Sequence, residues 1–132
     1  MRRLLILPCA AVAVILTGCS ALDTADQAWQ TAVQTRQDCY DSSTIASEFP
    51  SAASEVATGQ CDSAFATALE AITWPNDQLS GEALTLENAA TSSAETEASG
   101  GVPSIAQTEA YASAKLVLDD DLANEMLSEG GG

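Results

Sequence analysis

The side chains of this chain that could do chemistry are four cysteines, one lysine, many carboxylates and several hydroxyls, and there is no histidine. A chain without histidine lacks the usual general base near neutral pH, every serine–histidine arrangement and the commonest zinc ligand. Lys115 could activate a serine, but a lone lysine on an amphipathic helix is more often solvated or salt-bridged. Gly100 and Gly101 lack the spacing and the following lysine of a phosphate-binding loop. We therefore expect no enzymatic activity, no cofactor and no small-molecule substrate.

The carboxylates do not form a recognisable metal motif. With 19 acidic residues in the chain, neighbouring pairs arise by chance, and a glycosidase would also need aromatic residues for a sugar cleft. The run Asp119-Asp120-Asp121 with Asn124 and Glu125 departs from the calcium-loop pattern where that pattern needs a ligand and a glycine. We interpret these aspartates as the start of the final helical turns, with weak calcium association as the alternative. No metal site is predicted.

Cys19 follows a segment unlike the rest of the chain. Met1-Arg2-Arg3 is positively charged, and the run from Leu4 to Leu16 has no charge and is interrupted only by Pro8. This order is typical of a secretory signal peptide. A membrane span needs about 20 apolar residues, more than this run supplies, so a permanent signal anchor is the less favoured alternative.

The residues Leu16-Thr17-Gly18-Cys19 resemble the lipobox of bacterial lipoproteins, in which an aliphatic residue and two small residues precede a cysteine. The resemblance covers only the first part of the chain, and its specificity comes from the combination with the charged start and the apolar run. It implies that residues 1–18 are a signal peptide, that the Cys19 thiol receives diacylglycerol, and that Cys19 becomes the first, acylated residue. Residues 19–24 are then the lipidated N-terminus and its tether.

The remaining cysteines can then be counted. Cys9 leaves with the signal peptide, and lipidation of Cys19 leaves Cys39 and Cys61. Such a pair is expected to form a disulfide outside the cytoplasm, where these bonds persist. The alternative is two buried thiols.

The charge of the chain excludes some partners. Without the signal peptide, Arg36 and Lys115 stand against 19 acidic residues, which gives a net charge of −17. A field of this sign repels nucleic acid and anionic lipid headgroups, so we expect contact with the membrane only through the lipid anchor. A basic envelope protein is the favoured type of partner. The alternative is that the acidity only keeps an alanine-rich surface soluble.

The elements that must position these residues all read as helices. We predict a single helical domain over 25–128, with Thr24 and Gln27 as a capping box for a first helix over about 25–39 and a short helical piece ending at Gly59. A second helix follows Cys61 and ends at Trp74-Pro75, and it places Phe65 near Arg36. The bridge then joins the end of one helix to the start of the next, which closes a helical hairpin.

The second half of the chain gives two further helices. Asp77 or Ser80 is the expected cap of the third helix, and Ser104 with Gln107 forms a second capping box. Residues 91–103 are interpreted as a flexible linker by composition, with a ragged end of the third helix as the alternative. The fourth helix carries a stripe with spacings of three and four, and residues 129–132 are expected to form a disordered tail. The stripe consists of Tyr111, Ala114, Leu118, Leu122 and Met126. Trp29, Phe65, Trp74 and Tyr111 are expected in the core rather than at a ligand.

The expected architecture is an all-α, small up-and-down bundle of about four helices, with one hairpin closed by a disulfide. The expected function is that of a lipid-anchored lipoprotein on the extracytoplasmic side of a bacterial cell membrane, acting as a non-catalytic acidic interaction module. There are two alternatives. One is a structural or accessory envelope lipoprotein without a specific ligand, and the other is a phage-encoded surface lipoprotein of the superinfection-exclusion type. The choice between inner and outer membrane does not follow from the residues.

Overall fold

The fold was analysed in a computed structural model, and the structure describes residues 21–45 and 52–131. Within these ranges the chain forms four helices: α1 (Ala21–Ile45), α2 (Ala52–Glu70), α3 (Asp77–Ala98) and α4 (Ile105–Gly131). Each helix packs against the next along the chain, and α1 also contacts α4. The predicted four-helix bundle is confirmed. None of the helices in the described ranges is long and apolar enough to cross a bilayer.

The core is built from one face of each helix. Trp29 on α1 and Phe65 on α2 meet with their ring centroids 6.1 Å apart, and Tyr111 on α4 lies at the same distance from Phe65. The predicted stripe of α4 supplies Ala114, Leu118 and Leu122 to this core, because its spacing keeps these residues on one side of the helix. Alanines fill most remaining positions, so the helices can approach closely. Of the four aromatic residues expected in the core, Trp29 and Phe65 are buried there, whereas Trp74 and Tyr111 are partly buried and pack against it.

The hairpin of α1 and α2 is closed by the Cys39–Cys61 disulfide, whose Cα atoms are 5.7 Å apart. The bridge was expected at the start of the second helix, but α2 already begins at Ala52 and continues through Gly59, so Cys61 lies in its middle. Gly59 does not end a helix; it sits where α2 touches α3. A Cβ atom built there would lie 3.0 Å from Glu97 Cβ and 3.1 Å from Ala98 N. The glycine is therefore needed for close approach.

The linker predicted for 91–103 is wrong over its first part, since α3 continues to Ala98. Ser93, Ala94 and Glu97 are buried in this segment, which faces α2 near Gly59. The small residues that resembled a flexible linker permit close helix packing instead. Only the short stretch from Ser99 to Ser104 connects α3 to α4.

Two predicted helix starts and the predicted tail also need correction. α1 begins at Ala21 rather than after the Thr24 capping box, and Leu22 is buried, so residues 21–24 belong to the domain and not to a tether. Asn76, not Asp77 or Ser80, caps α3, because its side-chain oxygen accepts a hydrogen bond from Leu79 N at 2.9 Å. The disordered tail predicted for 129–132 is helical as far as Gly131.

The second capping box is confirmed. Ser104 N donates to Gln107 Oε1 at 2.8 Å, and Gln107 N donates to Ser104 Oγ at 3.1 Å. Gln107 Nε2 also donates to Ser92 Oγ and Thr96 Oγ1, both at 2.9 Å, and so ties the start of α4 to the end of α3.

Candidate functional site

The most unusual chemistry in the described residues is a cluster of ionisable side chains inside the bundle. Arg36 Nε of α1 lies 2.9 Å from Asp62 Oδ1 of α2, and the Asp62 side chain is only 3% exposed. Tyr40 Oη donates to Asp62 Oδ2 at 2.7 Å. Both Asp62 oxygens therefore accept hydrogen bonds from α1, next to the disulfide that holds α1 and α2 together.

Arg36 is held by aromatic rings as well as by its ion pair. The guanidinium carbon lies 4.3 Å from the Tyr40 ring centroid, 4.5 Å from that of Tyr111 and 5.7 Å from that of Phe65. A planar guanidinium suits such stacking better than an ammonium group does. Burial alone would lower the pKa of Arg36, yet the pKa is raised, because electrostatic interactions with Tyr111, Tyr40 and Asp62 and the hydrogen bond to Asp62 favour the cation.

Glu97 of α3 adds a second carboxyl group to the cluster. It is 4% exposed, and Thr58 Oγ1 of α2 donates to its Oε2 at 3.1 Å. Burial, a hydrogen bond with Asp62 and the Asp62 charge raise the pKa of Glu97 to about 8. As a carboxylate, Glu97 would leave Oε1 without a donor among the described residues. As a carboxylic acid it can donate to Asp62, and its raised pKa favours this neutral form at neutral pH.

The two tyrosines of the cluster stay neutral over the physiological range. Burial and the hydrogen bond with Asp62 raise the pKa of Tyr40 above its ordinary value. Burial raises the pKa of Tyr111 to about 12.

A second polar contact joins α1 to α4. Trp29 Nε1 donates to Asp119 Oδ1 at 2.7 Å, and Lys115 Nζ lies 3.0 Å from Asp119 Oδ2. Lys115 thus forms the salt bridge that the sequence favoured over a catalytic role. Asp121 accepts a hydrogen bond from Gln78 Nε2 at 3.0 Å, and Asp120 is exposed.

The three aspartates at 119–121 therefore do not share one site: Asp119 contacts α1, Asp121 contacts α3 and Asp120 is exposed. The run lies in the middle of α4 and not at the start of a helical turn, which corrects the sequence interpretation. Over the described part of the chain, no group of three or more candidate ligands is arranged to hold a metal ion.

A groove of about 490 Å³ lies between α1 and α2, beside the disulfide. Its walls are mainly alanines and threonines, and among the described residues that line it Arg36 alone is charged. The Nε of this arginine is bonded to Asp62, so part of its hydrogen-bonding capacity is already used inside the domain.

The predicted sites and the structure overlap in part. The structure brings Cys39 and Cys61 together as a disulfide, while the lipobox residues Leu16, Thr17, Gly18 and Cys19 lie outside the described residues. The buried Asp62–Glu97 pair was not anticipated. One signal was present: Arg36 lies on the apolar side of its helix, and a buried cation requires an acidic partner.

Comparisons with protein-family models, with curated proteins and with solved structures gave no match to this chain. The function is therefore argued from the chain's own residues.

Proposed function

We propose that this chain is a lipoprotein anchored through diacylglycerol on Cys19 to the extracytoplasmic face of a bacterial cell membrane, where its acidic helical domain binds a partner protein. The observation that carries the anchor is the order of a charged start, an apolar run and Leu16-Thr17-Gly18-Cys19. Cleavage before Cys19 would leave α1 intact from Ala21 onward.

The disulfide supports an extracytoplasmic location. Cytosolic reductants keep most thiols reduced, whereas disulfides persist in secreted and periplasmic proteins. The described residues contain no free cysteine, as expected for a domain that matures in an oxidising compartment.

The lipid would hold the domain close to the membrane. A single acyl chain gives only marginal membrane binding, whereas two chains give stable anchoring. Since the first described residue, Ala21, is already in α1, at most one residue would separate the lipidated cysteine from the first helix. Asp23 in the first turn of α1 would then lie near the headgroups, where its charge disfavours contact with anionic lipid.

Electrostatics support a basic protein as the partner. Arg36 and Lys115 are the basic residues of the described chain, and each is paired with an aspartate of its own domain. The acidic side chains therefore dominate the field outside the bundle. Such a field attracts basic proteins and repels nucleic acid and anionic lipid.

The geometry also supports a non-catalytic role. The ionisable cluster is enclosed by four helices, with Asp62 and Glu97 both buried, so a substrate would have no direct access to its carboxyl groups. The chain has no histidine with which an exposed serine could be activated.

The test is the intact mass of the protein extracted from membranes, measured beside a Cys19→Ala variant, with and without reductant. We expect a chain that starts at Cys19, carries diacylglycerol and gains two hydrogens on reduction, whereas the variant should keep its first 18 residues and carry no lipid. An unmodified Cys19 in the membrane-extracted protein would contradict the proposal.

A further inference from the structure

The outer face of α4 carries a continuous row of residues that are all exposed to solvent in the described domain. Positions 105, 109, 112, 116, 120, 123 and 127 follow spacings of three and four, so they share one side of the helix. We call this row the α4 stripe, and it comprises Ile105, Glu109, Ala112, Leu116, Asp120, Ala123 and Leu127. With a rise of about 1.5 Å per residue it is about 33 Å long.

The α4 stripe exposes large apolar side chains. Ile105 is 78% exposed, Leu116 is 60% exposed and Leu127 is 72% exposed. They lie at the start, the middle and the end of the stripe. Single exposed leucines are ordinary, but apolar residues aligned along a whole helix are the pattern by which helices recognise one another.

The charge of the stripe restricts what can cover it. Glu109 and Asp120 interrupt the apolar positions, and both are exposed. A partner that buries the stripe must bring cations opposite these two carboxylates, because two unpaired charges buried in an interface would be costly.

A second copy of the chain does not supply those cations. Within the described residues, Arg36 Nε is paired with Asp62 and Lys115 Nζ with Asp119 inside each copy. A membrane surface does not supply them either, because anionic headgroups repel Glu109 and Asp120 and the hydrocarbon excludes them.

We propose that the α4 stripe is the docking face for an amphipathic helix of a basic partner protein, with apolar residues packed on Ile105, Leu116 and Leu127 and Lys or Arg opposite Glu109 and Asp120. This proposal rests on the proposed function as an interaction module, and it names the surface and the chemistry of the partner. It does not depend on whether Cys19 carries lipid.

The probe is a synthetic helical peptide with leucines spaced to meet the apolar positions and lysines spaced to meet the two carboxylates. A second peptide carries glutamate in place of lysine. Binding to the purified full chain is measured by fluorescence anisotropy, in phosphatidylcholine nanodiscs if the chain is lipidated and in buffer if it is not.

Leu116→Asp is compared with Leu84→Asp, a matched control in which a 55% exposed leucine of α3 is changed. We expect Leu116→Asp to weaken binding of the lysine peptide about tenfold or more, and Leu84→Asp to leave it within about twofold. Leu127→Asp is the second α4 variant, and circular dichroism checks that each variant is folded. Asp120→Asn should weaken binding more than Glu95→Gln, which removes one exposed charge from α3.

Several results would overturn the proposal. The first is an equal loss of affinity for the lysine peptide in the α3 and α4 variants. The second is binding of the glutamate peptide as tight as that of the lysine peptide. The third is a dimer of the full chain that Leu116→Asp abolishes. Leu116-dependent binding of the Cys19→Ala chain to phosphatidylcholine vesicles would assign the stripe to the membrane instead. The mass measurement on Cys19 is independent of all these readouts, so failure of the anchor and failure of the docking face are distinguished.

Discussion

Replacing Glu97 by glutamine should remove a pH dependence of stability that is built into the bundle. An ordinary glutamate has a pKa of 4.5, whereas the pKa of Glu97 in the folded chain is about 8. Between these two values the folded chain holds one proton more than the unfolded chain. The free energy of unfolding therefore falls as pH rises, and the contribution of this group is largest below pH 4.5 and is lost as pH passes through about 8.

The magnitude follows from the proton linkage. One proton of difference corresponds to about 1.4 kcal/mol per pH unit, so the free energy of unfolding should decrease by about 3 kcal/mol between pH 5.5 and pH 8. The total stability of a domain is typically about 5–15 kcal/mol, so a change of this size is readily measured. Glutamine resembles the protonated acid: it can donate to Asp62 and accept from Thr58 Oγ1, and it does not ionise.

The assay is urea unfolding at several pH values, with the disulfide intact. Glu97→Gln should match the wild type near pH 5.5, exceed its stability near pH 9, and show a flatter dependence between them. Glu95→Gln is the control, because it removes an exposed carboxylate from the same helix and should keep the wild-type slope. Parallel curves for Glu97→Gln and wild type would refute the argument that Glu97 is the neutral acid of the cluster.

Two further predictions concern packing around the same cluster. Gly59→Ala should lower the free energy of unfolding by about 1–3 kcal/mol, because the new Cβ meets backbone atoms of α3. Gly81→Ala, which has open space around it, should raise the free energy of unfolding by about 0.5–1 kcal/mol. Equal effects of the two variants in thermal melts would show that α2 and α3 can separate without cost. Arg36→Met should cost about 3–5 kcal/mol by leaving Asp62 buried without its cation. Arg36→Lys should restore only part of this loss, because lysine cannot stack as a plane between two rings, and full recovery in urea unfolding would contradict the role of Tyr40 and Tyr111.

Periodicity and cap chemistry predicted most of the fold. Leu118 and Leu122 lie in the core where the spacing of α4 placed them, and Ser104 and Gln107 form the expected reciprocal cap. These features depend on residues close in sequence, so the local pattern is sufficient to predict them.

The incorrect predictions for the end of α3 have a common physical cause. Ser93 and Ala94 have small side chains that are typical of linkers, and only the position of Gly59 on another helix makes them good packing residues. Glu97 was likewise placed in an exposed segment, because a buried glutamate becomes tolerable only when Asp62 and Thr58 are brought next to it. Contacts between distant residues decide both cases, and a single sequence does not reveal them.

Arg36 links the stability of the four helices to one another. It lies on α1, forms its ion pair with Asp62 on α2 and stacks on Tyr111 of α4, while Asp62 in turn contacts Glu97 on α3. If any one helix detached, a charged or polar group would lose its partner while still partly shielded from water. Partly assembled forms are therefore penalised, and these few polar side chains favour a cooperative unfolding transition in a bundle whose core is rich in alanine.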